Sequence, residues 1–138
     1  MRFSHLKSQL AAAACLVVMA ATVQADESTT ETGTVVFSQA LPNVPGQTLT
    51  AILDTYPPGG VSVRHHHAGS VLAYVLSGSI RSENSATGPA HVYKAGEAFF
   101  EPPGSHHLIS ENASATEPAS LLAVFVAEDG AKLKTPDE

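Results

Sequence analysis

The chain has one cysteine, no tryptophan and two methionines among 138 residues, and only 14% of them are charged. A single thiol excludes an intramolecular disulfide framework and any centre built on several thiolates. Positive charge is also scarce, with 7 Lys and Arg against 13 Asp and Glu. A net charge of −6 argues against nucleic acid and against an anionic membrane surface as partners. The longest apolar stretch, Leu10 to Thr22, falls short of the roughly 20 residues needed to span a bilayer. Helical periodicity is missing too, because Pro or Gly interrupts every window long enough to show it.

That apolar stretch reads instead as the centre of a secretory signal. Arg2 and Lys7 precede it, and Val23-Gln24-Ala25 supplies small residues at the cleavage positions, placing the cut before Asp26. An uncleaved anchor is the rival reading, and a lipoprotein is a weaker one, because Cys15 lies inside the apolar run rather than at its end. Cleavage removes the only cysteine together with Arg2 and Lys7. It leaves 5 Lys and Arg against 13 Asp and Glu, a net charge of −8. The expected location is outside the cytoplasm, in the periplasm, with no membrane attachment after cleavage.

The remainder divides into a flexible leader over 26–33, one domain over 34–130 and a polar C-terminal tail over 131–138. Within the domain, short runs rich in β-branched and aromatic residues alternate with turn residues. The runs are 34–41, 47–56, 62–67, 71–80, 91–93, 98–101, 107–110 and 119–127, with 81–89 read as a polar stretch. Eight short strands at this spacing predict an all-β sandwich or barrel. Val71-Leu72-Ala73-Tyr74-Val75-Leu76 and Leu121-Leu122-Ala123-Val124-Phe125-Val126 are apolar on both faces. Such strands need a barrel interior on one side and a partner layer on the other, so a homodimer is expected.

Histidine is what the chain has in excess. His65, His66 and His67 follow a Pro57-Pro58-Gly59-Gly60 turn, and His106 and His107 follow Pro102-Pro103-Gly104. Counting by twos along a strand puts His65, His67, Gly69, Val71, Ala73 and Val75 on one face, with His66 and Tyr74 on the other. Two imidazoles at alternate positions can reach one ion at about 2.0–2.1 Å, and neutral imidazole is a common ligand near neutral pH. A third ligand must come from His106 or His107, because His91 stands alone as a packing or solvated residue.

The stretch from Gly59 through His65 and His67 to Gly78 resembles the first characteristic motif of the cupin superfamily. The stretch Gly96 to His107, with Pro102-Pro103-Gly104, resembles the second, and Asn112 falls one place beyond that motif's closing Asn. The resemblance spans about 34–127, and the short separation of the motifs is similar to that in small single-domain bacterial cupins. It implies a double-stranded β-helix (jelly-roll) barrel holding one divalent metal ion: Fe, Mn, Zn, Ni or Cu. By the same resemblance His65, His67 and His107 are the ligands, with His66 and His106 beside them. A one-residue slip of register would exchange His66 or His106 with its neighbour.

One departure stands out. Where the family carries a glutamate ligand, this chain has Val71. Three neutral imidazoles would leave the ion's charge uncompensated and favour an anionic small molecule as a further ligand. Glu101, just before the Pro102-Pro103-Gly104 turn, is an alternative carboxylate. It could ligate the metal, hydrogen-bond a ligand His, or face solvent or Arg64 or Arg81; parity cannot choose, because the turn breaks the count. Val71, Ala73, Val75 and Phe99 are expected to line a small apolar pocket. Cupins with three His include thiol and diketone dioxygenases, so an oxygenase acting on a small organic acid, diketone or thiol is one expectation. A non-catalytic metal- or ligand-binding module is the second, and a metal-free isomerase using one His as base is the third.

Overall fold

The period-two alternation of apolar residues builds the molecule as an all-β sandwich. In this computed structural model residues 30–138 are described, so the expected signal segment and the first half of the leader lie outside them. The strands are β1 (Thr32–Ala40), β2 (Gln47–Tyr56), β3 (His65–His66), β4 (Ser70–Ser77), β5 (Ser79–Asn84), β6 (Gly88–Lys94), β7 (Ala98–Glu101), β8 (His106–Asn112), β9 (Ala119–Glu128) and β10 (Thr135–Pro136). They form two five-stranded antiparallel sheets, ordered β1-β2-β9-β4-β7 and β10-β3-β8-β5-β6. This is the jelly-roll architecture expected from the sequence.

Every second residue of β9, from Ala119 to Ala127, is buried, and so are Val71, Ala73 and Val75 of β4. Ile80 from the opposite sheet joins Val71, Val75 and Phe125 in one buried cluster. Burying side chains of this size from water stabilises the fold by about 1.5–3 kcal/mol each. The outward residues of β4 and β7 are open instead: Leu72, Tyr74, Leu76 and Phe100 are all at least 42% exposed.

Three sequence readings change in the structure. The run expected over 71–80 is broken at Gly78, whose φ of +67° suits glycine. A Cβ there would also lie 2.7 Å from the Pro118 carbonyl oxygen. The chain thereby crosses to the second sheet, and β5 continues through the stretch read as polar. Its inward residues are Ile80, Ser82 and Asn84. The last two are polar because Ser82 bonds His107 and Asn84 bonds Glu101 beside it.

The region read as a polar tail is the third change. It adds strand β10 to β3, pairing Thr135 with His66 and Pro136 with His65, while Leu133 packs against the core cluster.

Candidate metal centre

Backbone pairing brings the two histidine clusters together. In the antiparallel β3–β8 ladder His65 sits opposite His107 and His66 opposite His106. The Pro102–Ser105 turn delivers β8 to this position. Ser105 N–H closes it onto the Pro102 carbonyl at 3.2 Å, and Gly104 N–H ties it to the His67 carbonyl at 3.0 Å.

The parity expectation holds: His65, His67 and His107 are buried, each at most 5% exposed, while His66 is half-buried and His106 exposed. One nitrogen of each buried His lies within 4.8 Å of the other two. His91 is exposed and stacks edge-on against Tyr93, away from the cluster.

Hydrogen bonding fixes which nitrogens converge. His65 Nδ1–H donates to the Val63 carbonyl at 2.6 Å, and His67 Nδ1–H donates to the Leu133 carbonyl at 2.7 Å. A carbonyl only accepts, so both rings carry their proton on Nδ1 when neutral, and both Nε2 atoms present bare lone pairs. Those two Nε2 atoms are 3.2 Å apart. Burial keeps the rings neutral, pushing His65 down to about 4 and His107 to about 3, and lowering His67 as well. Two lone pairs aimed at each other with no proton between them are what a cation relieves. Donors held 2.0–2.1 Å from a common ion stand roughly 3.0–3.4 Å apart, so this donor set fits a divalent metal.

Glu101 is buried at 2% exposure, which removes the solvent-facing alternative. Its Oε2 lies 3.2 Å from His107 Nδ1 and 3.8 Å from His67 Nε2, and it accepts a 3.1 Å bond from Asn84 Nδ2. Arg81, a candidate partner for Glu101 by charge, pairs with Glu111 at 2.7 Å instead. Burial raises the Glu101 carboxyl to about 7, so a proton is held there near neutral pH without difficulty. On its other side His107 Nε2 meets Ser82 Oγ at 2.8 Å. The acid missing at Val71 thus has a counterpart: the Glu101 carboxyl reaches the histidines from β7 rather than β4.

A cavity of about 50 Å³ adjoins the cluster. Val71, Ala73 and Phe99 line it as expected, but Val75 does not; it is fully buried deeper in the core. Leu121, Ala123 and Phe125 of β9 complete the apolar wall. The wall is less uniformly apolar than expected, because Glu31, Asp54 and Lys134 also face the space. Burial, then the nearby Glu31 charge, raises the Asp54 carboxyl to about 7. Lys134 Nζ donates to Glu31 Oε1 and, at 2.7 Å, to Ser62 Oγ. Nothing in the spacing pointed to Glu31, Asp54, Leu133 or Lys134; the alternation Ile80-Ser82-Asn84 could have flagged the polar support on β5.

The sequence profile of the cupin domain matches residues 52–125, more than half of the chain. The chain belongs to the cupin family. No curated protein matches it by sequence. Among solved structures, this cupin is similar to an uncharacterized conserved protein with a double-stranded β-helix domain from Klebsiella pneumoniae. The two share 21% identity at a TM-score of 0.61, over 83% of this chain and 90% of that one. It is also similar to the DMSP lyase DddQ from Ruegeria pomeroyi, at 19% identity and a TM-score of 0.55, over 64% of this chain. This cupin spans only 42% of that lyase. Bacillus subtilis oxalate decarboxylase matches at 26% identity and a TM-score of 0.53, over 64% of this chain and 23% of its own. These likenesses support the fold.

Proposed function

We propose that this protein is an exported metal-dependent cupin in which His65, His67 and His107 hold one divalent ion with Glu101 beside it. Its action would be on a very small organic molecule, with oxygenation of a small organic acid, diketone or thiol as the reaction class. The convergence of the His65 and His67 Nε2 lone pairs at 3.2 Å carries this reading. When bound, the ion would supply Lewis acidity and open coordination positions. The chain's own residues do the rest. Val63 and Leu133 hold the imidazoles in one tautomer, Glu101 can take or give a proton at Oε2, and Phe99 and Phe125 exclude water from the wall.

Cavity size limits the substrate. About 50 Å³ admits a few water-sized groups, at roughly 10–15 Å³ for each. Glu31 is already paired with Lys134 and Asp54 is raised to about 7, so an acid substrate would direct its carboxylate toward the ion. Structural neighbours named for reactions of small molecules, DMSP and oxalate, are consistent with a small substrate.

Metal analysis of the purified protein tests the site. The wild type is expected to hold one equivalent of a transition metal more than His65→Ala, His67→Ala or His107→Ala; equal content in all four would sink the proposal. Oxygen uptake with small acids, diketones and thiols tests turnover. A second reading, a non-catalytic metal-binding module, is favoured by the Lys134–Glu31 pair that occupies the cavity wall. Metal binding without turnover on any of these classes would select it.

A further inference from the structure

The ladder that points His65 and His107 inward points His66 and His106 outward from its next rung. Their rings lie 5.4 Å apart, centroid to centroid. Asp137 stands over the pair. Its Oδ1 is 3.0 Å from His66 Nδ1, and its two oxygens are 3.0 and 2.9 Å from His106 Nδ1. One ligand atom from each of the three lies within 4.8 Å of the others.

We propose that His66, His106 and Asp137 form a second, outer metal site for a divalent transition ion such as zinc, nickel or copper(II). Two imidazole nitrogens and a carboxylate oxygen suit this class rather than calcium or magnesium, which take oxygen donors. The His–Asp separations already present, 2.9–3.0 Å, are close to the roughly 3.0–3.4 Å between donors that share an ion at about 2.0–2.1 Å. With three protein ligands in a partly exposed position, water completes the coordination.

The third ligand is not a wandering surface group. Asp137 N–H donates to the Arg64 carbonyl at 3.0 Å, and β10 pairs residues 135 and 136 with β3. The same segment contributes the Leu133 carbonyl that orients His67 and the Lys134 side chain that lines the cavity. An ion bound outside would therefore clasp the strap that completes the inner site. The outer site requires no metal in the inner one.

Zn²⁺ titration of the metal-stripped protein by calorimetry tests this, alongside a His66→Ala/His106→Ala double variant and Asp137→Asn. None of the three is fully buried or part of the hydrophobic core, so their loss does not open it. The wild type is expected to bind one more equivalent than the double variant, and Asp137→Asn to weaken or lose that equivalent. His65→Ala should retain it, which separates failure of the inner site from failure of the outer. In that His65→Ala background, Zn²⁺ should also slow hydrogen exchange at the Asp137 amide. Equal stoichiometry in the wild type and the double variant, or unchanged exchange at Asp137, would overturn the proposal.

Discussion

Val71 and Glu101 are directly opposite each other across the β4–β7 pair. Residues so paired share one face of the sheet with Cβ atoms about 4.5–5.5 Å apart. The acid that the first cupin motif lacks thus stands one strand away, still within reach of the histidines. Glu101→Gln keeps the shape and removes the charge, and should weaken metal affinity by about 10–100-fold. The exchange Val71→Glu with Glu101→Val should restore much of it. Calorimetric titration with the native metal checks both; an exchange variant no better than Glu101→Val alone would contradict an acid that has moved by one strand.

Tautomers offer a test that needs no metal. His65 and His67 should each carry the proton on Nδ1 in the metal-stripped protein at neutral pH, given their carbonyl partners. Nitrogen-15 correlation spectra distinguish the two ring nitrogens, and a protonated Nε2 on both would contradict the convergence of lone pairs.

Asp54 governs a pH effect of definite sign. Its carboxyl is raised from 3.8 to about 7 in the fold, so the folded chain keeps a proton that the unfolded chain has released. The associated stability is present below about pH 4 and is lost as pH rises to about 7. Asp54→Asn should match the wild type near pH 4 and exceed it at pH 8, by on the order of 1–3 kcal/mol. Urea unfolding at the two pH values measures this, and an equal gain at both would refute it.

The open outer face of the larger sheet bears on assembly. Leu72, Tyr74, Leu76 and Phe100 present apolar surface that a homodimer would cover. Light scattering should report a dimer, and Leu72→Lys with Phe100→Lys should shift it to monomer without unfolding. A wild-type monomer at high concentration would remove the dimer.

Much of the centre was legible because strand parity is local. Counting by twos from His65 placed His65, His67, Val71, Ala73 and Val75 inward without any knowledge of the partner strands, and all five are buried. What parity could not reach was any residue whose role depends on pairing. Glu101 became interpretable only through its register with Val71, since the Pro102–Ser105 turn separates it from the His107 count. Asn84 and Ser82 looked like loop polarity because their apolar counterparts are absent; Ser82 meets the His107 imidazole and Asn84 the Glu101 carboxylate, not a core. Leu133, Lys134 and Asp137 lay in a segment whose composition is polar. Their contribution is a carbonyl, an ammonium and a carboxylate, none of which leaves a hydrophobic pattern.

The hydrogen bond from His67 to the Leu133 carbonyl joins residues 66 positions apart. During synthesis, then, the first histidine cluster emerges long before the acceptor that fixes its tautomer and the strand that backs it. Until residues 133–137 have been made and have docked on β3, His67 can turn and the cavity wall lacks Lys134. A tight site cannot exist on the nascent chain. An ion held by these histidines would therefore load only after residues 133–137 have been made and have docked on β3.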